Sequence, residues 1–351
     1  MLCHVLTTLR GLSGGSTNVP GHSQVSTASL PTATVHKNFL RMVERMTLLS
    51  QFSVDIRGTE YWVDKKASLI FPPIWINLGR CLNTLELKIP YDFIRSILPT
   101  PGVTIFKHLE TVHLHIIGIP RTHLEEEGSI LLGRLPLFVA DHRQTIKSLG
   151  FNIDILGMPN ISPFLSRLPK MPQLIHFRLK QDFNKREHSD LLGLRHVLMT
   201  HGSYLNRFDI KFVGSEGYYP APYIMFSDDC FHLPLPQLQH LTIDIRYIPM
   251  QYTLTIVPYI HQFRQSLTCL VILDSAWPFQ RLQVLVDGFA LGGHLMKLTL
   301  PASVFESRLL ILLATGLPML YELNVGYRKL QFYEGGPTTE EEITQAGCYL
   351  T

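Results

Sequence analysis

The chain contains 351 residues, of which 46% are hydrophobic and 17% are charged, and its formal net charge is +3. This composition is too apolar for a disordered protein, and so small a positive charge argues against a general nucleic-acid binder. Five scattered cysteines without a C-x-x-C pair are typical of reduced thiols, so we expect a cytoplasmic or nuclear protein. The longest apolar run, Leu309 to Tyr321, is too short to span a bilayer, and the first residues carry no secretory signal pattern, so we expect no membrane association.

The first predicted elements are a flexible segment and a helix. Residues 1–35 are predicted to be flexible, because Ser, Thr, Gly and Pro make up most of residues 11–35. From Val35 to Leu49, apolar residues recur at the spacing of an amphipathic helix.

From Leu49 onward the chain repeats one phrase, L-x-x-L-x-L, about every 30 residues. The first residues of the ten phrases are Leu49, Leu82, Leu109, Ile146, Leu174, Leu205, Leu238, Leu267, Leu295 and Leu320. Positions four and six of each phrase have the spacing of a strand, and they are predicted to face the core together with position one. The linking segments Ser189–Thr200, Phe279–Phe289 and Ser303–Leu313 have helical spacing. Since consecutive parallel strands need such crossovers, the pattern predicts an α/β solenoid with one strand and one helix per repeat.

Two kinds of segment precede the strands. A proline stands shortly before Leu174, Leu238 and Leu320, where it disfavours helix and so ends the crossover. A polar stretch typical of a helix C-terminus precedes Ile146, Leu205 and Leu267. The repeat therefore has a two-unit rhythm.

Two regions depart from the repeat. Val213–Cys230, rich in Gly, Pro and Tyr, is predicted to be an insertion loop, and an aromatic contact site or a plain packed loop would both fit it. Residues 331–351 are predicted to form a polar C-terminal tail.

The phrase, its period and the alternation of "LP-x-L-x-x-L" with "R-Q-S-L-x-x-L" resemble the irregular leucine-rich-repeat region of fungal F-box-type proteins, over about residues 36–330. The resemblance implies an α/β leucine-rich-repeat solenoid of about ten irregular repeats, with parallel strands on the concave face and helices on the convex face. It also implies the substrate-recognition part of a ubiquitin-ligase subunit, with a ligase adaptor as partner if an F-box exists outside this chain. Two features depart from the family: no Asn ladder follows the strands, and no F-box is found, since residues 1–35 are too short and too polar.

Positions three, five and seven of each phrase are predicted to lie on the concave face, where a basic, histidine-rich group stands out in the middle repeats. Its members are His113, His115, His176, Arg178, Lys180, Arg207, Asp209 and Lys211. Arginine forks suit carboxylate and phosphate groups, so we hypothesise that this group binds an acidic or phosphorylated segment of a partner protein. The alternative is a solvated strand face on which basic residues cluster by chance.

The sequence offers no complete catalytic constellation. His113 and His115 share a strand face but lack a third ligand, so we expect no metal, and no cofactor motif is found. We therefore expect a non-enzymatic protein-binding scaffold. Two alternatives stay open: an enzyme with its site on the concave His/Arg group or in the 213–230 loop, and a degenerate relative with no partner left.

Overall fold

A computed structural model describes residues 38, 41, 49–56, 71–103, 106–118, 133–155, 161–182, 191–213, 226, 228–246, 255–274, 276–290 and 292–330. Four sequence-based predictions fall on other residues: the flexible segment 1–35, most of the helix 35–49, most of the 213–230 loop and the tail 331–351. They lie outside the described residues and stay predictions.

Ten strands form a single open, parallel sheet in which their order follows the chain. They are β1 (Gln51–Asp55), β2 (Thr84–Pro90), β3 (Thr111–Gly118), β4 (Ser148–Ile155), β5 (His176–Asp182), β6 (Arg207–Val213), β7 (His240–Asp244), β8 (Cys269–Leu273), β9 (Lys297–Phe305) and β10 (Glu322–Leu330). Each strand begins two residues after the first residue of its phrase. The predicted positions of all ten strands are therefore confirmed.

Burial explains why the phrase marks strands so regularly. In the β5 phrase, positions one, four and six are Leu174, Phe177 and Leu179, and all three side chains are fully buried. Phe177 lies opposite Phe208 of β6 in the parallel register, and their rings stack. Because alternate strand residues face opposite sides, positions three, five and seven are left on the other face of the sheet.

Helices link most of the strands. They are α1 (residues 71–78), α2 (Ile94–Ile97), α3 (Leu135–Asp141), α4 (Ser162–Leu165), α5 (Leu192–His201), α6 (Ile256–His261), α7 (Phe279–Ala290) and α8 (Ser307–Gly316). Single 3₁₀ turns lie at Tyr91–Phe93 and Asp229–His232. Among the described residues no helix is long and apolar enough to cross a bilayer.

The predicted crossover helices at Ser189–Thr200 and Phe279–Phe289 correspond to α5 and α7. The prediction of a helix from Ser303 was wrong in its first residues, because β9 continues to Phe305 and α8 begins at Ser307. The physical reason is that β10 is equally long and pairs with β9 to its end, where Phe305 lies opposite Leu330.

The two predicted kinds of segment before a strand have different backbone hydrogen bonds. Before β6 and β8 the chain leaves a helix, and the N–H groups of Leu205 and Leu267 donate to carbonyls four residues back. Before β5 and β7, the proline-containing segments form tighter turns, in which Leu174 and Leu238 donate to carbonyls three residues back. The rhythm read from the sequence is thus a difference in turn geometry.

The chain divides into two compact units. The first comprises Met1–Lys147 and Phe151–Pro159, and the second comprises Ser148–Gly150 and Asn160–Thr351. In the first unit Trp75 is fully buried and its indole N–H donates to the carbonyl of Ile97, 2.7 Å away. An aromatic group in the second unit, formed by Phe212, Phe226, Phe231 and Tyr259, fills the space behind β6.

Candidate functional site

Three neighbouring strands of the second unit carry the candidate site. The parallel register places His176 opposite Arg207, Arg178 opposite Asp209, and Lys180 opposite Lys211. The next strand continues these rows with His240, Thr242 and Asp244. The predicted adjacency of the strands after Leu174, Leu205 and Leu238 is confirmed, and the polar residues of β5–β7 share one face.

We call this surface the β5–β7 patch. Its members are His176, Arg178, Lys180, Arg207, Asp209, Lys211, Asp244 and Arg246.

Asp209 lies at the centre of the patch and accepts hydrogen bonds from side chains of both neighbouring strands and of its own strand. Its Oδ2 atom lies 3.0 Å from Nε2 of His176 and 3.2 Å from Nε of Arg178. Nε of Arg207 lies 3.1 Å from Oδ1 and 3.2 Å from Oδ2. Thr242 adds a side-chain hydrogen bond. One carboxylate therefore fixes the direction of two guanidinium groups and one imidazole.

The Asp209 side chain is only 9% exposed. Burial on its own would raise the pKa of this carboxyl group, but the hydrogen bonds from His176, Arg207 and Thr242 and the charge of Arg207 outweigh burial and lower the pKa well below its ordinary value. Asp209 is consequently ionised throughout the physiological range.

Asp244 holds Lys211 and Arg246 in the same way, by accepting hydrogen bonds from both. Its Oδ2 atom lies 2.9 Å from Nζ of Lys211 and 2.8 Å from Nη2 of Arg246, while its Oδ1 atom lies 3.0 Å from Nε of Arg246. Burial opposes ionisation here too, and the hydrogen bonds from Arg246 and Lys211 lower the pKa of Asp244 despite it. Two buried carboxylates thus anchor the cations of the patch.

The anchored cations remain accessible, although their carboxylates are not. The side chains of Arg178, Arg207 and Arg246 are 45%, 44% and 48% exposed, whereas that of Asp244 is 5% exposed. The patch carries five Lys and Arg side chains against two carboxylates, so it keeps an excess of positive charge. The arrangement can bind an anion with groups whose positions are already fixed.

His240 contributes little charge to this face. It stands next to Arg207, and burial together with the charge of Arg207 lowers its pKa, with Asp209 opposing this shift only in part. It is therefore neutral near pH 7.

His113 and His115 lie on β3 in the first unit. They stand opposite Glu86 and Lys88 of β2, and Nδ1 of His113 lies 3.5 Å from Oε1 of Glu86. They belong to the first unit, so they are not counted among the residues of the β5–β7 patch. Within the described residues, no group of three or more His, Cys, Asp or Glu side chains is placed to hold a metal ion.

Ser148, His176 and Asp209 form a chain of hydrogen bonds across three strands. Ser148 Oγ lies 2.9 Å from Nδ1 of His176, whose Nε2 contacts Asp209. Since ionised Asp209 can only accept, Nε2 carries the hydrogen in the neutral ring and Nδ1 accepts from Ser148. The order of groups is that of a nucleophile, a base and a carboxylate.

Two features distinguish this hydrogen-bonded series from a Ser-His-Asp catalytic triad. Strand N–H groups pair with neighbouring strands in the plane of the sheet, so they form no oxyanion hole above its face. The charge of Asp209 is also shared with Arg178 and Arg207. The arrangement favours a role of these residues in positioning the cations.

Sequence reasoning missed Ser148, Thr242, Asp244 and Arg246 as members of one network. Ser148 and Asp244 stand at face positions three and seven of their phrases, so the signal was present for them. Arg246 lies beyond the phrase, and only the structure brings its side chain back onto Asp244.

No protein-family model matches the sequence, and no curated protein matches it either.

Proposed function

We propose that the chain is a protein-binding scaffold of leucine-rich-repeat type whose β5–β7 patch receives an acidic or phosphorylated segment of a partner protein. The repeat type is supported by the match of every phrase to one strand of a single parallel sheet and by the alternating turns before the strands. Stacked units of this kind present broad surfaces, which suits binding better than catalysis in a closed pocket.

The observation that carries the proposal is the pairing of half-exposed cations with buried carboxylates. Arg178 and Arg207 are held on Asp209, so an incoming anion meets groups that have already lost much of their side-chain freedom. Oppositely charged surfaces also speed and orient the encounter of two proteins.

By its resemblance to fungal F-box-type proteins, the scaffold would recognise substrates for ubiquitin ligation if an F-box exists outside this chain. A cytoplasmic or nuclear site of action fits the three cysteines of the described residues, Cys81, Cys230 and Cys269, all of which are free thiols.

Co-purification of the tagged full chain from its native source tests this proposal. The informative variant is R178Q/R207Q/D209N, which replaces the ion cluster by neutral amides and avoids leaving a buried carboxylate without its cations. We expect it to lose the specific partners of the wild-type chain, while the surface variant R143Q/R264Q keeps them.

Arg143 and Arg264 are exposed and lie in the turns before β4 and β8, so the control variant also removes two arginine charges but does not touch the patch. Equal recovery of every partner by the triple variant contradicts the proposal. Recovery of a ligase adaptor supports the F-box interpretation, and recovery of other partners alone supports a plain scaffold.

A further inference from the structure

The donors that the two central arginines leave unused indicate which anion fits the β5–β7 patch. Both guanidinium groups contact Asp209 through Nε. Among the described residues, neither makes a hydrogen bond through its terminal nitrogens, which carry four of the five N–H donors of each group. The terminal nitrogens of Arg178 and Arg207 therefore remain as two forks for a ligand.

The Nε atoms from which the two forks extend are close together. Nε of Arg178 and Nε of Arg207 each lie 3.2 Å from the same oxygen of Asp209, so they are no further apart than twice that distance. Two positive charges at this separation are balanced by one carboxylate only. A second anion bound to both forks would relieve the remaining repulsion.

A carboxylate has two oxygens and one charge, which suits a single fork. A phosphate monoester has three free oxygens and between about one and a half and two negative charges at neutral pH. It can accept from both forks at once and balance the charge that Asp209 leaves.

We propose that the group bound between Arg178 and Arg207 is a phosphoryl group on a side chain of the partner protein. The inference rests on the proposed function and specifies its ligand.

Lys211 and Arg246 extend the site in one direction. Lys211 lies two residues beyond Asp209 on the same strand face, which corresponds to roughly 7 Å. A partner segment that runs extended along β6 would place its second-next side chain near Lys211 and Arg246. The favoured ligand is thus a phosphorylated residue followed or preceded, two positions away, by an acidic residue.

Binding of phenyl phosphate and of benzoate to the full chain, measured by NMR titration at about pH 7.5, tests the choice of anion. The two ligands share a ring and differ in the anionic group. We expect phenyl phosphate to bind at least about tenfold more tightly, since a phosphoryl group can accept from both arginines at once and carries the larger negative charge.

The variant R178K/R207K removes the forks but keeps both charges and a donor for Asp209. Because Asp209 keeps its charge partners, we expect this variant to stay folded. We expect it to lose the preference for phenyl phosphate while its thermal unfolding stays close to that of wild type. The control R143Q/R264Q should keep the preference. Survival of the preference in R178K/R207K overturns the assignment of the site.

A second titration identifies the source of the phosphoryl group. It compares a short phosphoserine peptide carrying Asp two positions away, the same peptide without phosphate, the phosphopeptide with Asn for Asp, and inorganic phosphate. We expect the phosphopeptide with Asp to bind most tightly. Inorganic phosphate binding as tightly as that peptide would overturn the partner-protein source.

The outcomes separate this inference from the proposed function. If phenyl phosphate and benzoate bind equally and both are lost in R178Q/R207Q/D209N, the phosphoryl preference is wrong and the anion-binding face stands. If neither anion nor any of the peptides binds, both proposals fail.

Discussion

Charged residues on the sheet face of the first unit are held differently from those around Asp209 in the second unit. In the first unit, Lys88 lies 3.5 Å from Asp55 and Lys147 lies 2.7 Å from Glu110, and the four side chains are between 32% and 45% exposed. Around Asp209 in the second unit, the carboxylate is buried and only its cations reach solvent. Pairs of the first kind gain little in water, whereas a buried carboxylate depends on its partners.

Two buried histidines, one in each unit, differ in the hydrogen bonds of their ring nitrogens. His142 and His201 both stand four residues before the first residue of a phrase and are almost fully buried. In the first unit, Nε2 of His142 accepts from the N–H of Phe106, and Nδ1 donates to the carbonyl of Phe138. Both ring nitrogens of His201, in the second unit, lack a hydrogen bond of normal geometry among the described residues. Burying His201 therefore costs more free energy than burying His142.

The largest expected effect comes from removing the cations of Asp209. We expect R178Q/R207Q to lower the free energy of unfolding by about 3 kcal/mol, because the buried carboxylate loses its charge partners. Adding D209N should restore most of the lost stability. Urea unfolding of the wild type, R178Q/R207Q and R178Q/R207Q/D209N measures these free energies.

The matched control is K88Q in the first unit, whose partner Asp55 is exposed. K88Q should lower the free energy of unfolding by less than about 1 kcal/mol. If it lowers this free energy as much as R178Q/R207Q does, the proposed difference between exposed and buried carboxylates is wrong.

Acidification should lower the stability of the folded chain through buried His201. Burial, helped by the charge of His196, lowers the pKa of His201 to about 4, and the main chain of Met171 opposes this only in part. The unfolded chain binds a proton near pH 6.5 and the folded chain does not until about pH 4, so stability falls as the pH drops between these values. The loss from this group reaches about 3 kcal/mol.

His201→Phe is the natural control, because Phe263 occupies the equivalent buried position before β8. Urea unfolding at a series of pH values should show a shallower decline for this variant between pH 6.5 and about pH 4. An unchanged slope would show that the acid response arises from other groups.

Double-mutant cycles give a smaller but more direct comparison of the ion pairs. We expect a coupling energy above about 1 kcal/mol for Arg207 with Asp209, and below about 0.5 kcal/mol for Lys147 with Glu110. High salt should remove the second coupling and leave most of the first, since screening acts mainly on exposed charges. Equal salt sensitivity of the two pairs would contradict the difference in burial.

Much of this architecture can be read from the sequence, because burial imposes a strict pattern on parallel strands. A phrase whose positions one, four and six face the core fixes where a strand begins and which residues lie on its other face, as at Leu205, where Arg207 and Asp209 follow. The end of a strand is less certain, because it depends on the neighbour: β9 reaches Phe305 only because β10 continues beside it.

The candidate site could be predicted as a set of residues but not as a network. Position alone places Arg178, Arg207 and Asp209 on one face. Sequence position does not show that Asp209 is buried beneath both arginines, or that Arg246 turns back to Asp244. Both contacts depend on side-chain conformations across neighbouring strands.

The smallest expected effect concerns Ser148, and it separates binding from catalysis. Ser148→Ala removes a half-buried hydrogen bond to His176, which should cost about 1 kcal/mol or less in the free energy of unfolding. Because no strand N–H can stabilise an oxyanion above the sheet, we expect a fluorophosphonate probe to label the wild-type chain no faster than the Ser148→Ala variant. The surface variant Ser203→Ala serves as a control for unspecific labelling. The conclusion would be reversed if Ser148 were labelled faster in the folded than in the denatured protein and if His176→Gln abolished this labelling. Ser148 would then act as a nucleophile with His176 as its base.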